Sequence, residues 1–540
     1  MQLREVATVP RFRKDDFYMK SLSFTLGIIG LLGSEIAPGQ SIYSQWLSKT
    51  DGSVAESALS VAPALAEATN VYVLGGYSAS NNIGGTILTN PAGLPSIFLS
   101  KFRFQEIGGP LWTKGPGSDG PVSNAKVLAD FNGDAYVAGS FPGTNLSFES
   151  TTLTNFGVRS DDVFIAKYNS AGTLQWVRQL GGTAADTFVG VDGGHFFSAS
   201  GFYVGGEFES STFSAGTTSL TRQGSAADCF VASYDFNGNL LWIKQGSNAR
   251  MTCISADAAN NCYVGGQTLG AAVFDSQSPS NPAGTNFLAK YDSSGNLQWV
   301  RGDVVIGRLL AIDPARNIYT AGTFSNSFKI GTTLLANPSP STVFVAKYDP
   351  NGNFLWARQI PGRGADMVSG ITIDLRNYCW VSGSFASPDQ SNEPHAFMAA
   401  LIPDGRCQVF DWTQQNGTSV ASAMGTLYNW TLGAAADAFV CGSFSTNYSL
   451  GSLSVTNGGI PDLFVGWFIG PPELSSFATQ TNLVLSWPTA GSQYFSIQSA
   501  TDLGGGNWGT PTNTVYYVNG QFVITNSTQS GSGFFRVQTH

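Results

Sequence analysis

The sequence predicts an all-β chain: a seven-bladed β-propeller of four-stranded antiparallel blades, closed by an N-terminal strand and followed by a small C-terminal β-sandwich. Three observations lead there. The phrase aromatic-Val-x-Gly-x-aromatic, or a close variant of it, recurs seven times; a Phe-led strand, a turn and a Trp strand recur between its copies; and the composition is rich in glycine and poor in charge. The 540 residues include 64 glycines, and charged residues make up 12%, about half the usual share near 25%. With 42% apolar residues and a formal charge of −9, the chain can bury a core, which excludes wholesale disorder. The acidic balance provides no basic footprint for nucleic acid.

The first phrase begins at Tyr72, Tyr136, Tyr203, Tyr263, Tyr319, Trp380 and Phe439, at intervals of 56 to 67 residues. The second spans 162–178, 228–244, 286–301 and 342–358, with degenerate copies from Ile97 and Ala396. Apolar alternation in Val163–Ala166 and Leu174–Val177 is a strand signal. The Asp-x-x-Gly-Asn insert, as in Asp235–Asn239, offers a capping Asp and a Gly free to take positive φ, so the pair forms a tight hairpin. The same device at Asp313–Asn317 implies another strand upstream, at 309–312. One unit therefore holds four strands: a before the Asp, b on the Gly phrase, c led by Phe and d carrying Trp.

The ends point to a ring. The seventh unit supplies a (near 423–428), b and c (462–468), then runs into Pro471-Pro472 without a Trp strand. Ser44-Gln45-Trp46-Leu47 looks like an orphan d strand, 66 residues before Trp112. Placing it on the last unit removes exposed sheet edges. The units resemble the bacterial repeats called seven-bladed propeller repeats, found in exported proteins, over roughly residues 44–468. The matching positions are Trp46, Trp112, Trp176, Trp242, Trp299 and Trp356, with Gly139, Gly206, Gly266, Gly322, Gly383 and Gly442. The sixth unit departs from the pattern, with Val409 in the Trp slot and an irregular hairpin expected there. The resemblance implies a fold and an exported setting, and no single activity.

The flanks have a different texture. Residues 1–40 read as a signal peptide, with Met19 as a candidate start and an apolar run, Leu22–Leu32, too short to span a bilayer; the competing reading is a buried helix. No later segment offers a membrane span, so an exported protein, secreted or on the cell surface of a bacterium, is expected. Residues 41–470 form the propeller. Residues 471–540, with LVLSWP, YFSIQSATDL and FFRV, read as a small β-sandwich that resembles the fibronectin-like modules of exported bacterial proteins, which implies attachment or spacing. The six cysteines carry no C-x-x-C pair and there are three histidines, so no metal site is expected. Cys253 and Cys262 flank a turn and either form a disulfide or remain buried thiols.

In a propeller the a–b and c–d turns share one face, and the b–c and d–a connections share the other. The second set is long and variable in sequence (78–95, 142–160, 209–227, 269–285), so any binding surface is placed there. Glu56, Asn124, Asp186, Arg250, Arg308 and Asp366 precede the innermost strands and are expected to ring the channel mouth. A mixed polar ring suits an uncharged polar ligand or a protein better than a polyanion.

The chemical motifs read as structure. Asp-x-x-Gly-x-x-x-Trp, as in Asp292–Trp299, has neither the sialidase Asp-box spacing nor the quinoprotein Trp-docking spacing. Asp235, Asn237 and Asn239 have calcium-loop spacing without a downstream bidentate Glu. The basic residue two places past each Trp is expected to make a surface ion pair, Arg178 with Asp162 and Lys244 with Asp228. Glu207 and Glu209 are a carboxylate pair at a strand end. No catalytic residue, cofactor or metal is assigned. The expected function is non-catalytic binding of a glycan or protein; the alternatives are a secreted glycosidase or lyase with carboxylates on the same loops, and a structural cell-surface component.

Overall fold

The computed structural model describes residues 43–49, most of 55–469, and six strands between 475 and 539. The expected signal segment, 1–40, lies outside the described residues. Among these residues the secondary structure is β with tight turns and no helix. The fold is all-β and propeller-like, built from the four-stranded units that the repeat predicts.

The second unit shows the pattern: Ser123–Ala129, Ala135–Phe141, Asp162–Tyr168 and Leu174–Gly181 pair in the order a-b-c-d, all antiparallel. The third and fourth units share one strand, Leu240–Ala256, which serves as d of one and continues into a of the next. At the end of the array, Ser419–Thr426, Asp437–Phe444 and Asp462–Ile469 supply a, b and c. The fourth strand of that sheet is Tyr43–Lys49, paired antiparallel with Asp462–Ile469 so that Trp46 faces Trp467 and Lys49 faces Phe464. This pairing skips one residue between Ser44 and Trp46. The d strands of other units skip one at the matching place, for example beside Lys167/Tyr168 and Lys347/Tyr348. The sixth unit keeps the same register, with Val409 opposite Ala400, so the missing Trp does not distort its hairpin.

Local chemistry explains the turns. In Asp235–Asn239 the Asp235 Oδ1 accepts from the amides of Asn237 (2.9 Å) and Asn239 (2.8 Å), and Oδ2 accepts from Asn239 Nδ2 at 2.8 Å. Gly238 takes φ +77°. The oxygens that mimic a calcium loop are thus spent on the turn itself. The glycine of strand b has another cause. It lies opposite the leading Phe of strand c, as Gly139 does opposite Phe164 and Gly442 opposite Phe464. A Cβ on Gly442 would come within 2.5 Å of the Phe464 ring.

Successive units are bound by buried apolar clusters. Tyr136, Ile165 and Leu180 pack with Phe188, Val204 and Phe230 between units two and three. Another cluster joins Phe439, Cys441, Leu463 and Val465 to Val61, Val71, Val73 and Phe98, residues of the last and first units. The tryptophans add a second tie. An indole lies against the c–d turn of the following unit and donates its Nε1–H to a carbonyl there: Trp112 to Ser170 (3.2 Å), Trp176 to Phe236 (3.4 Å), Trp242 to Ser293 (3.0 Å) and Trp356 to Pro403 (3.1 Å). The turn glycine is what lets the ring approach. A Cβ on Gly238 would meet Trp176 at 2.9 Å, and one on Gly295 would meet Trp242 at 2.8 Å.

This contact corrects the ion pairs expected from the sequence. The Arg178 guanidinium stacks on Trp176, 5.1 Å from the ring centroid, and its Nε donates to Gly238 O at 2.8 Å. Lys244 pairs with Asp275 at 3.3 Å. Asp162 instead accepts from Gln179 Nε2 at 2.6 Å, and Asp228 from Gln245 Nε2 at 2.6 Å. The reason is strand alternation: consecutive side chains point to opposite faces, so only the Gln turns toward the Asp.

The b–c connections also differ from expectation. They were expected as long, variable loops, and most carry a short hairpin of their own, such as Asn81–Ile83 with Thr86–Leu88, Thr212–Ala215 with Thr218–Thr221, and Phe328–Ile330 with Thr333–Leu335. Several drop an aromatic side chain onto the leading Phe of strand c: Phe148 on Phe164 (5.5 Å between ring centroids), Phe213 on Phe230 (4.5 Å), Phe328 on Phe344 (5.8 Å). These connections are part of the framework.

The region expected as a β-sandwich holds Ser475–Ala478, Asn482–Pro488, Gln521–Ser527 and Val515–Val518 in one sheet, and Phe495–Ala500 paired with Phe534–Thr539 in another.

Two glycine substitutions separate the Trp contact from backbone strain. Gly238→Ala places a methyl on the Trp176 face at positive φ, whereas Gly216 (φ +60°) has nothing within 4 Å of the point where a Cβ would stand. Gly216→Ala should cost about 1–2 kcal/mol from the left-handed conformation alone, and Gly238→Ala a further ~1–3 kcal/mol from overpacking, read as the difference in thermal or denaturant unfolding.

Candidate functional site

The innermost strands enclose a cavity of about 260 Å³. It is lined by the a strands of all the units, from Leu59–Pro63 through Lys126–Ala129, Val191–Asp192, Cys253–Ile254, Arg308–Ala311 and Ser369–Thr372 to Ser422–Gly425. A bulge recurs in most of these strands, at Ala58/Ser60, Phe188/Gly190, Met251/Cys253, Val368/Gly370 and Ala421/Ala423. It sets a common tier of residues opposite strand b. In that tier Ser60, Gly190, Cys253, Gly370 and Ala423 are small, and Lys126 carries a charge. The next tier is mostly aliphatic: Val61, Val191, Ile254, Leu310, Ile371 and Met424.

Polar and charged side chains share the cavity wall with the apolar ones, among them Lys126, Asp192, Arg308 and Ser369. Asp192 Oδ2 accepts from Ser255 Oγ at 2.8 Å and from the Ala256 amide at 3.1 Å. Burial lowers the pKa of Lys126, opposed by the nearby Cys253 and Asp192. The Cys253 thiol is pushed up to about 11 by burial, so it is inert as a nucleophile at neutral pH. All six cysteines are free thiols, which settles the choice for Cys253 and Cys262 in favour of buried thiols.

Of the six residues expected at the channel mouth, Arg308 lines the cavity. Glu56 is buried and accepts from Asn81 Nδ2 at 2.7 Å. Asp186 is buried and accepts from Ser210 Oγ (2.7 Å) and the amides of Glu209 and Ser210 (3.2 Å each). Asp366 is buried, with its amide donating to Ser341 O at 3.3 Å. These three tie the start of strand a to the b–c connection. Asn124 turns its amide to the carbonyl of Phe188 on the neighbouring inner strand, and the Arg250 Nε lies 3.2 Å from Glu207 Oε2. That ion pair also answers for Glu207 of the Glu207/Glu209 pair. Burial raises the Glu207 pKa and Arg250 opposes it. Sequence reasoning missed Lys126, whose signal was a lone basic residue where the other units carry small or apolar ones.

Two carboxyl groups of the framework titrate high. Burial pushes Asp162 and Asp186 to about 6, against hydrogen bonds from Gln179 and Phe156 in one and from Ser210 in the other. Asp162 Oδ1 has no hydrogen-bond partner, which favours the protonated form.

No known family model matches the chain. It is similar to the uncharacterized WD repeat-containing protein L264 of Acanthamoeba polyphaga mimivirus, 24% identical over 380 residues, which cover 55% of this chain and 27% of the viral protein. The chain thus spans about a quarter of the length of that relative. Among solved structures it is similar to the Neurospora crassa Pan2 WD40 domain, with a TM-score of 0.41 and 11% identity over 80% of this chain and 98% of that one. It is also similar to the Dos1 propeller, with a TM-score of 0.36 and 9% identity over 79% and 95%. At these levels the likeness concerns shape alone. No helix among the described residues is long and apolar enough to cross a membrane.

The high carboxyl values carry a sign. A group whose folded pKa lies above its unfolded value stabilises the fold fully below about 4 and loses that contribution as pH rises through about 6. Melting temperature measured from pH 4 to 7 should therefore include a falling component, and Asp186→Asn should flatten it relative to wild type.

Proposed function

We propose that this chain is an exported, non-catalytic seven-bladed propeller that binds a glycan or protein on the face carrying the b–c and d–a connections. In this reading residues 41–470 form the ring, the strand at 43–49 closes the last blade, and 471–540 form a sandwich-like module that tethers or spaces it. Support for closure comes from the pairing of Tyr43–Lys49 with Asp462–Ile469 and from the apolar cluster shared by the last and first units.

The observation that carries the non-catalytic part is the use made of the carboxylates. The cavity contains one, Asp192, and it holds Ser255 and the Ala256 amide. Asp162, Asp186 and Asp228 each accept from their own unit's loop or strand groups. A glycosidase needs two carboxyl groups facing one reacting centre at ~5–9.5 Å; these groups serve the framework instead. The hairpins on the b–c connections display apolar side chains outward, Ile87 at 73% exposure and Leu334 at 67%, and offer contact area to a partner.

A glycan array run beside a polysaccharide-turnover screen, both on the purified chain, tests this reading. Saturable binding without product release is expected; release of reducing ends or unsaturated sugars from any polysaccharide would overturn it.

A further inference from the structure

We propose that the seam between the fourth and fifth units binds a small oxyanion of the phosphate class on the turn face, with the Lys290 ammonium and the Trp299 indole N–H as its donors. This site lies on the face opposite the one invoked above, and neither reading depends on the other.

The repeat itself supplies the argument. In four units the residue of strand c opposite the Trp of strand d is a lysine: Lys101 opposite Trp112, Lys167 opposite Trp176, Lys290 opposite Trp299 and Lys347 opposite Trp356. In three of them both side chains converge on one carbonyl oxygen of the next unit's c–d turn. Lys101 Nζ (2.8 Å) and Trp112 Nε1 (3.2 Å) donate to Ser170 O. Lys167 (3.1 Å) and Trp176 (3.4 Å) donate to Phe236 O, and Lys347 (3.3 Å) and Trp356 (3.1 Å) to Pro403 O. The same pair of donors is thus built to hold a single oxygen. At the fourth seam the matching oxygen belongs to Pro350, and neither Lys290 nor Trp299 makes a hydrogen bond to it or to any other described residue.

The placement of the ring explains the difference. At Gly172, Gly238, Gly295 and Gly405 the indole atom nearest the point where a Cβ would stand includes Cδ2, at 2.8 to 2.9 Å. At Gly352 the Trp299 atoms are Cη2 and Cζ3, at 3.3 and 3.4 Å. Trp299 turns its outer edge to the glycine and stands off the turn, so the donor pair does not close on Pro350.

Charge selects an anion for this pair. Lys167 Nζ is 2.9 Å from Asp134 and Lys347 Nζ is 3.5 Å from Asp313; in the fourth unit Asn261 stands where the second unit has Asp134. Asp257 favours the charged form of Lys290 from beyond ion-pair distance. Its oxygens accept from the amides of Ala259 and Asn261, from Asn261 Nδ2 and from the Tyr263 hydroxyl. Arg316, exposed on the a–b turn of the fifth unit, acts on Lys290 in the opposite sense. The ammonium itself is held over the Tyr263 ring, 5.0 Å from its centroid. Two cations therefore raise the potential at an open seam, and a tetrahedral oxyanion presents several acceptor oxygens to donors on different strands. Exposure to water sets the affinity near the millimolar scale.

Indole N–H resonances of the full chain in a two-dimensional nitrogen–proton spectrum test this, with the Trp299 signal assigned by Trp299→Phe. Inorganic phosphate and, in a second arm, glycerol 1-phosphate are titrated at fixed ionic strength against chloride. A saturable shift of Trp299 is expected that Trp112, Trp176 and Trp356 do not share; the tighter of the two probes identifies the free ion or an ester as the ligand, and either result supports the site. Lys290→Gln should weaken binding at least about tenfold, the scale of one charge-assisted hydrogen bond, while Lys347→Gln leaves it unchanged. No saturable shift, an equal shift with chloride, or a Lys290→Gln variant that binds phosphate as the wild type does would overturn the proposal. Should Lys290→Gln not fold, Arg316→Gln removes the second charge from an exposed position and should weaken binding about two- to threefold; undiminished affinity there also overturns the site.

Discussion

The contact between an indole and the glycine of the next unit's turn is the constraint on which the architecture depends. A four-stranded sheet presents two faces, and tandem sheets leave each face to be buried against a neighbour. The apolar clusters between units supply bulk burial, which is non-directional. The Trp contact supplies direction: a ring laid on a turn that only glycine permits, an Nε1–H donated to a turn carbonyl, and in several units an arginine stacked on the ring. It fixes the rotation of each unit against the next, because the turn must arrive at the Trp with its glycine facing it. The repeated Asp-x-x-Gly-Asn sequence is therefore a device for joining units as well as for turning the chain.

That double use explains what was legible in the sequence. The four-strand unit could be read because each strand carries a period-2 pattern and each turn carries Asp, Gly and Asn at fixed offsets. The sixth unit's Val409 could be placed in the Trp slot, but the irregular hairpin expected there is not found, because the bulge beside it keeps Val409 opposite Ala400 as in the other units. Lys114 and Lys244 make the exposed ion pairs expected of the basic residues past each Trp, but the partners named for Arg178 and Lys244 were misread because sequence spacing shows which residues are near in register without showing which face they share. Arg178 and Gln179 are adjacent in the chain and look equally able to reach Asp162; only the alternation of the pleat decides between them.

The connections and the cavity were harder to read for different reasons. The b–c hairpins are short, about three or four residues per arm, so their period-2 signal hardly rises above a polar loop; the recurring cue is a positive-φ turn, as at Gly84, Gly216 and Gly331, with Thr close behind it. Glu56, Asp186 and Asp366 stand where a mouth would begin, yet strand geometry folds them back onto the b–c connection, where their side chains or backbones take local partners. Lys126 could be found only by comparing equivalent positions between units, since its character lies in being unlike Ser60, Gly190, Cys253, Gly370 and Ala423.

The proposed ring rests on the strand at the front of the chain serving as the outer strand of the last unit. Hydrogen exchange resolved to single amides measures this directly. In a closed ring, ladder amides within Tyr43–Lys49 are protected as long as those of Asp462–Ile469 and open with them in one cooperative event. Exchange of the 43–49 amides at the rate of an unstructured peptide, while 462–469 stay protected, would contradict closure.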